Sequence, residues 1–232
     1  MLTGEIKSQS LLNSSEKERM FQLMIRHYSG MKKEKFLNDL SEKDGAIIIR
    51  DENNIIQGFS TYLFIETEFR NDKIAVLFSG DTIISKEFWG TPVLFNTFGK
   101  LLYKMMNIYP DRKCYWFLIT KGYRTYLLLP LYFNFYYPRF DKETPEYEKN
   151  LIKHLAELKY KGFFNEKTGI IEAPADYLKD ELADIPDHKS ENKFVQFFLS
   201  KNPDYHKGNE LACICEIREE SFRNRTKTMI RP

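Results

Sequence analysis

Between residues 73 and 120 the chain switches its apolar period from strand to helix and back, and this order constrains the fold more than any other feature. Lys73–Ile84 (KIAVLFSGDTII) is rich in branched residues and reads as a strand, with a bulge expected at Ser79-Gly80-Asp81. From about Pro92 to Met106, Leu94, Phe98, Leu101, Leu102 and Met105 recur at helical spacing, and Pro92 suits a first turn. CYWFLIT (114–120) is again a strand. Upstream, a helix over 15–29 opens on a Ser15-x-x-Glu18 capping box, and Phe36, Leu37 and Leu40 predict a short second helix. AIIIR (46–50) and IIQGFSTYLFIE (55–66) flank the turn cluster DENN and predict a hairpin. Tyr123–Tyr137 predicts a helix kinked or entered near Pro130. The layout is α/β: a mixed central sheet flanked by helices.

Beyond about Phe140 the character changes, so residues 1–140 are expected as a core and 141–232 as an α+β extension packed on it. DKETPEYEKNLIKHLAELKY predicts a charged surface helix, and FFNEKTGIIEAP a hairpin turning at Glu166 to Gly169. Residues 176–193 read as helix plus loop, 194–205 as apolar then turn-like, ELACICEI (210–217) as a terminal strand, and RNRTKTMIRP as a frayed basic tail.

Composition removes several functions. Lys and Arg number 35 against 33 Asp and Glu, a formal charge of +2, which argues against a nucleic-acid binder. Hydrophobic residues make up 42% and aromatics 15%, enough for a sizeable core. The N-terminus lacks the apolar run of a signal peptide, and no tract reaches the roughly 20 apolar residues of a membrane span. Three cysteines, Cys114, Cys213 and Cys215, complete no zinc pattern, so reduced thiols, no metal and a cytoplasmic location are expected.

Two segments interrupt apolar strands with polar residues. The first runs from Ser79-Gly80-Asp81-Thr82-Ile83-Ile84 to Trp89-Gly90-Thr91-Pro92, where a strand opens into a glycine turn before a helix. Free amides and the positive helix end there make a candidate pyrophosphate cradle, although Gly90 alone also serves a plain tight turn. The second is Thr120-Lys121-Gly122-Tyr123-Arg124-Thr125-Tyr126, at the next strand-to-helix junction. Lys121 and Arg124 are candidate anion binders, and Tyr123 or Tyr126 a candidate acid for a leaving thiolate. Asp81 is the candidate base, because burial in an apolar strand raises a carboxyl toward neutrality; a carboxylate held by backbone amides at a bulge fits the same position. None of the four histidines stands in a nucleophile motif, which argues against a hydrolytic triad. The aromatics between Tyr115 and Phe140 fit either an acyl tunnel or a plain core.

Over roughly residues 15–140, this order of elements resembles the GNAT superfamily of acyl-CoA N-acyltransferases. The family's phosphate loop, Arg/Gln-x-x-Gly-x-Gly/Ala, corresponds to Glu87-Phe88-Trp89-Gly90-Thr91-Pro92, with an acidic first position and a proline last. In character the chain is closer to long-chain N-acyl amino acid synthases and acyl-homoserine-lactone synthases, which can use acyl carrier protein. The resemblance implies direct transfer from acyl-CoA or an acyl carrier protein to an amine, on an amino acid, peptide or small molecule, without a tightly bound cofactor. It implies that Thr82, Ile83, Ile84, Trp89, Gly90, Thr91, Lys121, Gly122, Tyr123 and Arg124 bind the donor. Backbone amides near Ser79 to Thr82 would polarise the carbonyl, Asp81 would take the proton and Tyr126 would return one. The alternative is a non-catalytic acyl-binding or interaction protein on the same fold, which Glu87 and Pro92 favour.

Overall fold

The computed structural model describes residues 1–172, 176–224 and 226–227. In chain order the strands are β1 (Thr3–Ser8), β2 (Tyr28–Ser29), β3 (Gly45–Arg50), β4 (Ile56–Phe69), β5 (Asp72–Ile84), β6 (Lys113–Thr120), β7 (Phe164–Asn165), β8 (Ile170–Ile171), β9 (Tyr177–Leu178) and β10 (Glu210–Glu216). The helices are α1 (Ser14–His27), α2 (Lys33–Ser41), α3 (Val93–Ile108), α4 (Tyr123–Tyr126), α5 (Leu128–Tyr132), α6 (Glu146–Lys159), α7 (Asp180–Ala183), α8 (Asp187–Ser190) and α9 (Lys193–Lys201). The result is a mixed α/β fold with one large, mostly antiparallel sheet of order β1-β3-β4-β5-β6-β10-β8-β7, while β2 and β9 pair separately. Among the described residues its one parallel pair is β5–β6, joined through α3 as a strand-helix-strand crossover.

Alternation along the strands divides the interior. Ala75, Leu77, Trp116 and Leu118 point to a face covered by α3, α4, α5 and α9, where Phe98, Leu101, Tyr126 and Phe198 are buried. Ile74, Val76, Phe78, Phe117 and Ile119 point to the other face under α6, and α1 with α2 covers Ala46, Ile48, Phe59 and Ile83 further along it. The helices on this second face therefore form two groups. A gap between them lies over the ends of β5 and β6.

The expected bulge is present. Ser60 pairs with Thr82 and Tyr62 with Ser79, so Gly80 and Asp81 together oppose Thr61. A Cβ at position 80 would lie 2.5 Å from Thr61 Oγ1 and 3.0 Å from Lys43 Cε, so any larger residue would have to displace the Thr61 side chain. The β4–β5 turn, with Arg70 and Asn71 at φ of 50° and 69°, completes a long hairpin.

Several expectations change. The capping box of α1 is Asn13 with Glu16, not Ser15 with Glu18, because Glu16 also turns inward to Lys7 and Arg50. The expected helix over 123–137 breaks into α4 and α5 and ends at Tyr132. Beyond it, Tyr137 exchanges backbone bonds of 2.8 Å with Ile214 along the edge of β10. α6 is charged outside but buries Leu151, Ile152, Leu155 and Ala156 on the sheet, as an amphipathic helix does. The residues beyond 140 supply β7, β8 and β10 to the main sheet, and β10 lies beside β6 along its length. The start of the expected tail is anchored, since Thr226 Oγ1 donates to the Tyr132 carbonyl at 3.1 Å; residues 225 and 228–232 lie outside the described residues. All three cysteines are buried free thiols. Among the described residues no helix is long and apolar enough to cross a membrane, and no group of His, Cys, Asp and Glu could hold a metal ion.

Candidate functional site: a cleft through the sheet

The parallel β5–β6 ladder runs from Ile74↔Lys113 to Ser79↔Leu118 and stops. β5 continues from Gly80 to Ile84 along β4, and β6 continues through Thr120 along β10. The bulge at Gly80-Asp81 coincides with the end of the ladder, and the added twist of a bulge turns the strand away from its neighbour. A cavity lies on each side of the opening. The inner one, about 580 Å³, occupies the gap between α2 and the end of α6. The outer one, about 410 Å³, lies between α3, β6, α4 and α5. Thr82, Ile84, Trp89, Arg124 and Thr125 line both, so the two cavities meet through the parted strands.

The inner cavity is strongly charged. Lys121, at the end of β6, makes a close ion pair with Asp176 and a second at 3.3 Å with Glu210, and its ammonium stands 5.4 Å from the Tyr28 ring. Lys35 adds a bond of 3.0 Å to Asp176. Burial opposes the Lys121 charge, yet Glu210 and Asp176 override it and hold the ammonium well above the ordinary lysine range. Burial pushes Glu210 up, with Lys121 opposing, whereas Asp176, buried but doubly paired, is held below the ordinary aspartate value. Lys43 is buried and paired to Asp39 at 2.6 Å.

Asp81 differs from these acids, for it makes no hydrogen bond or ion pair among the described residues. Burial, then the Asp39 charge, push its carboxyl up to about 7. It is half-buried because it faces the cavity, so a small molecule there can reach it. Burial also raises the phenols of Tyr28 and Tyr160 on the same cavity wall, so both stay protonated at neutral pH.

The outer cavity is apolar, with Leu94, Phe95 and Phe98 of α3 facing Trp116, Leu118, Tyr123 and Leu128. Its polar floor is already engaged: Trp116 Nε1 donates to Ser79 Oγ at 2.9 Å, and the Ser60 and Thr82 hydroxyls bond at 2.8 Å. At the rim Trp89 Nε1 donates to the Ile84 carbonyl at 2.9 Å. The Arg124 guanidinium lies 4.5 Å from the Trp89 ring and 4.7 Å from the Tyr123 ring, and it donates to the Leu182 carbonyl at 2.6 Å. Gly90 turns at φ +84° with open space where a Cβ would stand.

The cleft thus gathers Ser79, Asp81, Thr82, Ile83, Ile84, Trp89, Gly90, Thr91, Lys121, Gly122, Tyr123 and Arg124 on its two sides. Tyr126 is not among them. Its ring is fully buried against Tyr136 and Phe198, and its hydroxyl donates to the Pro138 carbonyl at 3.0 Å. Tyr123, one helical turn earlier, lines the outer cavity instead. Replacing Tyr126 by Phe is expected to cost about 1 kcal/mol in denaturant unfolding, the net value of one buried hydrogen bond, and to leave turnover unchanged. Lys121 is saturated by its two carboxylates, which explains why it is not a free anion site. Tyr28, Asp39, Lys43, Tyr160, Asp176 and Glu210 escape sequence reasoning, because they converge from five separate segments. One weak signal exists, a glutamate opening the otherwise apolar run at 210.

The fold and cleft define a mixed α/β protein whose central sheet parts at the ends of β5 and β6, with a cavity on each face of the opening. No protein-family model matches the chain, and no curated protein matches it. Solved structures align with it at low identity. A GNAT family N-acetyltransferase of Escherichia coli in complex with CoA is 10% identical at a TM-score of 0.39, covering 57% of this chain and 69% of that one. A conserved protein of Enterococcus faecalis, described as a probable N-acyltransferase, is 11% identical at 0.44, covering 94% and 67%. ElaA of Escherichia coli is 17% identical at 0.40, covering 61% and 95%.

Proposed function

We propose that the protein is a GNAT-like N-acyltransferase that moves an acyl group from a thioester, acyl-CoA or acyl carrier protein, to an amine by direct attack. One observation carries this reading: the β5–β6 ladder ends at Ser79↔Leu118 with a cavity on each side of the gap. The apolar outer cavity suits the pantetheine arm and acyl group, with Trp89, Gly90, Thr91 and Arg124 at its rim. The backbone of β5 beyond Ser79 has no strand partner towards β6, so its edge is available to polarise the thioester carbonyl. An acceptor amine in the inner cavity attacks that carbon, and Asp81 takes the proton that the amine loses. The tetrahedral adduct collapses with loss of thiolate, which Tyr123, on the outer side, protonates. Buried and unactivated, the cysteines supply no nucleophile, and the direct route needs none.

Thiol release from a panel of acyl-CoA donors offered with mixed amines tests the reading; release that requires both donor and amine supports it. Donor binding without release under any amine would favour the acyl-binding alternative, which Glu87 and Pro92 support. Gly90→Trp gives a second test. A Cβ at position 90 meets no heavy atom within 4 Å, and Gly90 lines the outer cavity, so a bulky ring there is expected to obstruct it, while the positive φ costs about 1 kcal/mol. Donor affinity measured by calorimetry is expected to fall about tenfold or more, with melting nearly unchanged.

A further inference from the structure

A third cavity, about 550 Å³, lies away from the cleft, among residues 138–144, α6, the β7–β8 turn and α9, and shares no lining residue with the other two. We propose that it is a second ligand site, for a nucleoside polyphosphate. Its volume falls within the range of small-molecule pockets, roughly 300–1,000 Å³. The floor is apolar, made by the buried Ile152 and Leu211, with the rings of Phe164 and Phe197 beside them. Phe140 stands at the rim, 42% exposed. These rings offer a flat base apolar faces on which to stack.

The rim carries the matching charge. Lys142, Lys149, Lys167 and Lys201 all line the cavity, and none enters an ion pair among the described residues. Three acids line it too, but two are neutralised: Asp141 by both arms of Arg139, at 2.5 and 2.6 Å, and Glu166 by Lys153 at 2.6 Å. Of the lining acids only Glu143 is left to oppose these four ammonium groups, of which Lys201 also stands 5.8 Å from the Phe197 ring. Lysines, as compact point charges on flexible stems, suit phosphate oxygens that spread charge over several positions. The combination of rings and ammonium groups favours a ligand with an aromatic body and several negative charges over either a neutral ligand or a bare anion. This inference depends on no part of the acyl-transfer reading.

Calorimetric titration of the full chain with ATP tests it, beside adenosine and tripolyphosphate as separate arms. A nucleotide could also enter the outer cavity of the cleft, so the titration is repeated on Lys149→Glu/Lys201→Glu and on Gly90→Trp. Both lysines are exposed, and unchanged melting of the double variant confirms its fold. The expected result is ATP binding that weakens about tenfold or more in the lysine variant, is unaffected by Gly90→Trp, and exceeds both partial ligands. Absence of ATP binding, its loss with Gly90→Trp alone, or tripolyphosphate binding as tight as ATP would each overturn the proposal. So would binding of an acidic peptide in its place.

Discussion

Replacing Lys121 by Met is expected to destabilise the protein by about 3–5 kcal/mol, the usual cost of removing one partner from a buried ion pair. The ammonium is the shared counter-ion of Asp176 and Glu210, and the side chains of all three are mostly shielded from water. Asp176 would keep Lys35, but Glu210 would have no ion-pair partner left among the described residues, only the more distant Lys35 charge. Methionine conserves the length of the stem, so the loss is electrostatic rather than a cavity effect. Both carboxyls would then take up protons to relieve the desolvation, and the deficit would grow as pH rises and that relief is withdrawn. Adding Glu210→Gln to Lys121→Met should recover part of the loss, since it removes the orphaned charge. Urea unfolding of the single and double variants measures both effects. An unaltered unfolding midpoint with weakened donor binding would reverse the assignment and make Lys121 a donor ligand.

The contrast between Lys121 and Asp81 explains how much of this molecule its sequence reveals. Periodicity is local, so the helix–hairpin–strand–helix–strand order and the bulge at Ser79-Gly80-Asp81 are readable. The parting of the strands is not readable from that step, which serves equally to hold a carboxylate on backbone amides in a closed sheet; it shows only where the ladder ends at Ser79↔Leu118. What fails is whatever depends on distant partners. Lys121 looks like a free cation until the chain returns with Asp176 and Glu210, more than fifty residues later. Tyr126 and Tyr123 are equivalent in sequence, and only the packing of α4 on α9 turns one into the core and leaves the other on the cleft. The run after Pro130 carries enough apolar residues for a helix, but Tyr137 takes up extended pairing with β10, a tertiary contact that overrides local propensity.

Asp81→Asn is expected to lower turnover by on the order of 10²–10⁴-fold, the range for loss of a general base, with donor affinity nearly unchanged. In the unmodified protein, turnover should rise with pH through about 7 and then level, as the Asp81 carboxyl ionises. The same group sets a stability signature of the opposite sense to a salt-bridged aspartate. Its folded value, about 7, lies above the ordinary 3.8, so the folded state holds a proton that the unfolded chain releases between those limits. Below the lower limit the carboxyl is neutral in both states and carries no penalty. Above the upper limit it is ionised in both, and the full cost of a charge facing an unpaired cavity bears on the fold. Asparagine removes that cost, so the variant should be more stable than its parent at about pH 8, by on the order of 1–3 kcal/mol, and no more stable at about pH 3.5. Gain of stability with loss of turnover marks a group kept for chemistry against the interest of the fold. A variant that melts lower at both pH values and loses donor binding together with turnover would instead make Asp81 part of the framework of the bulge.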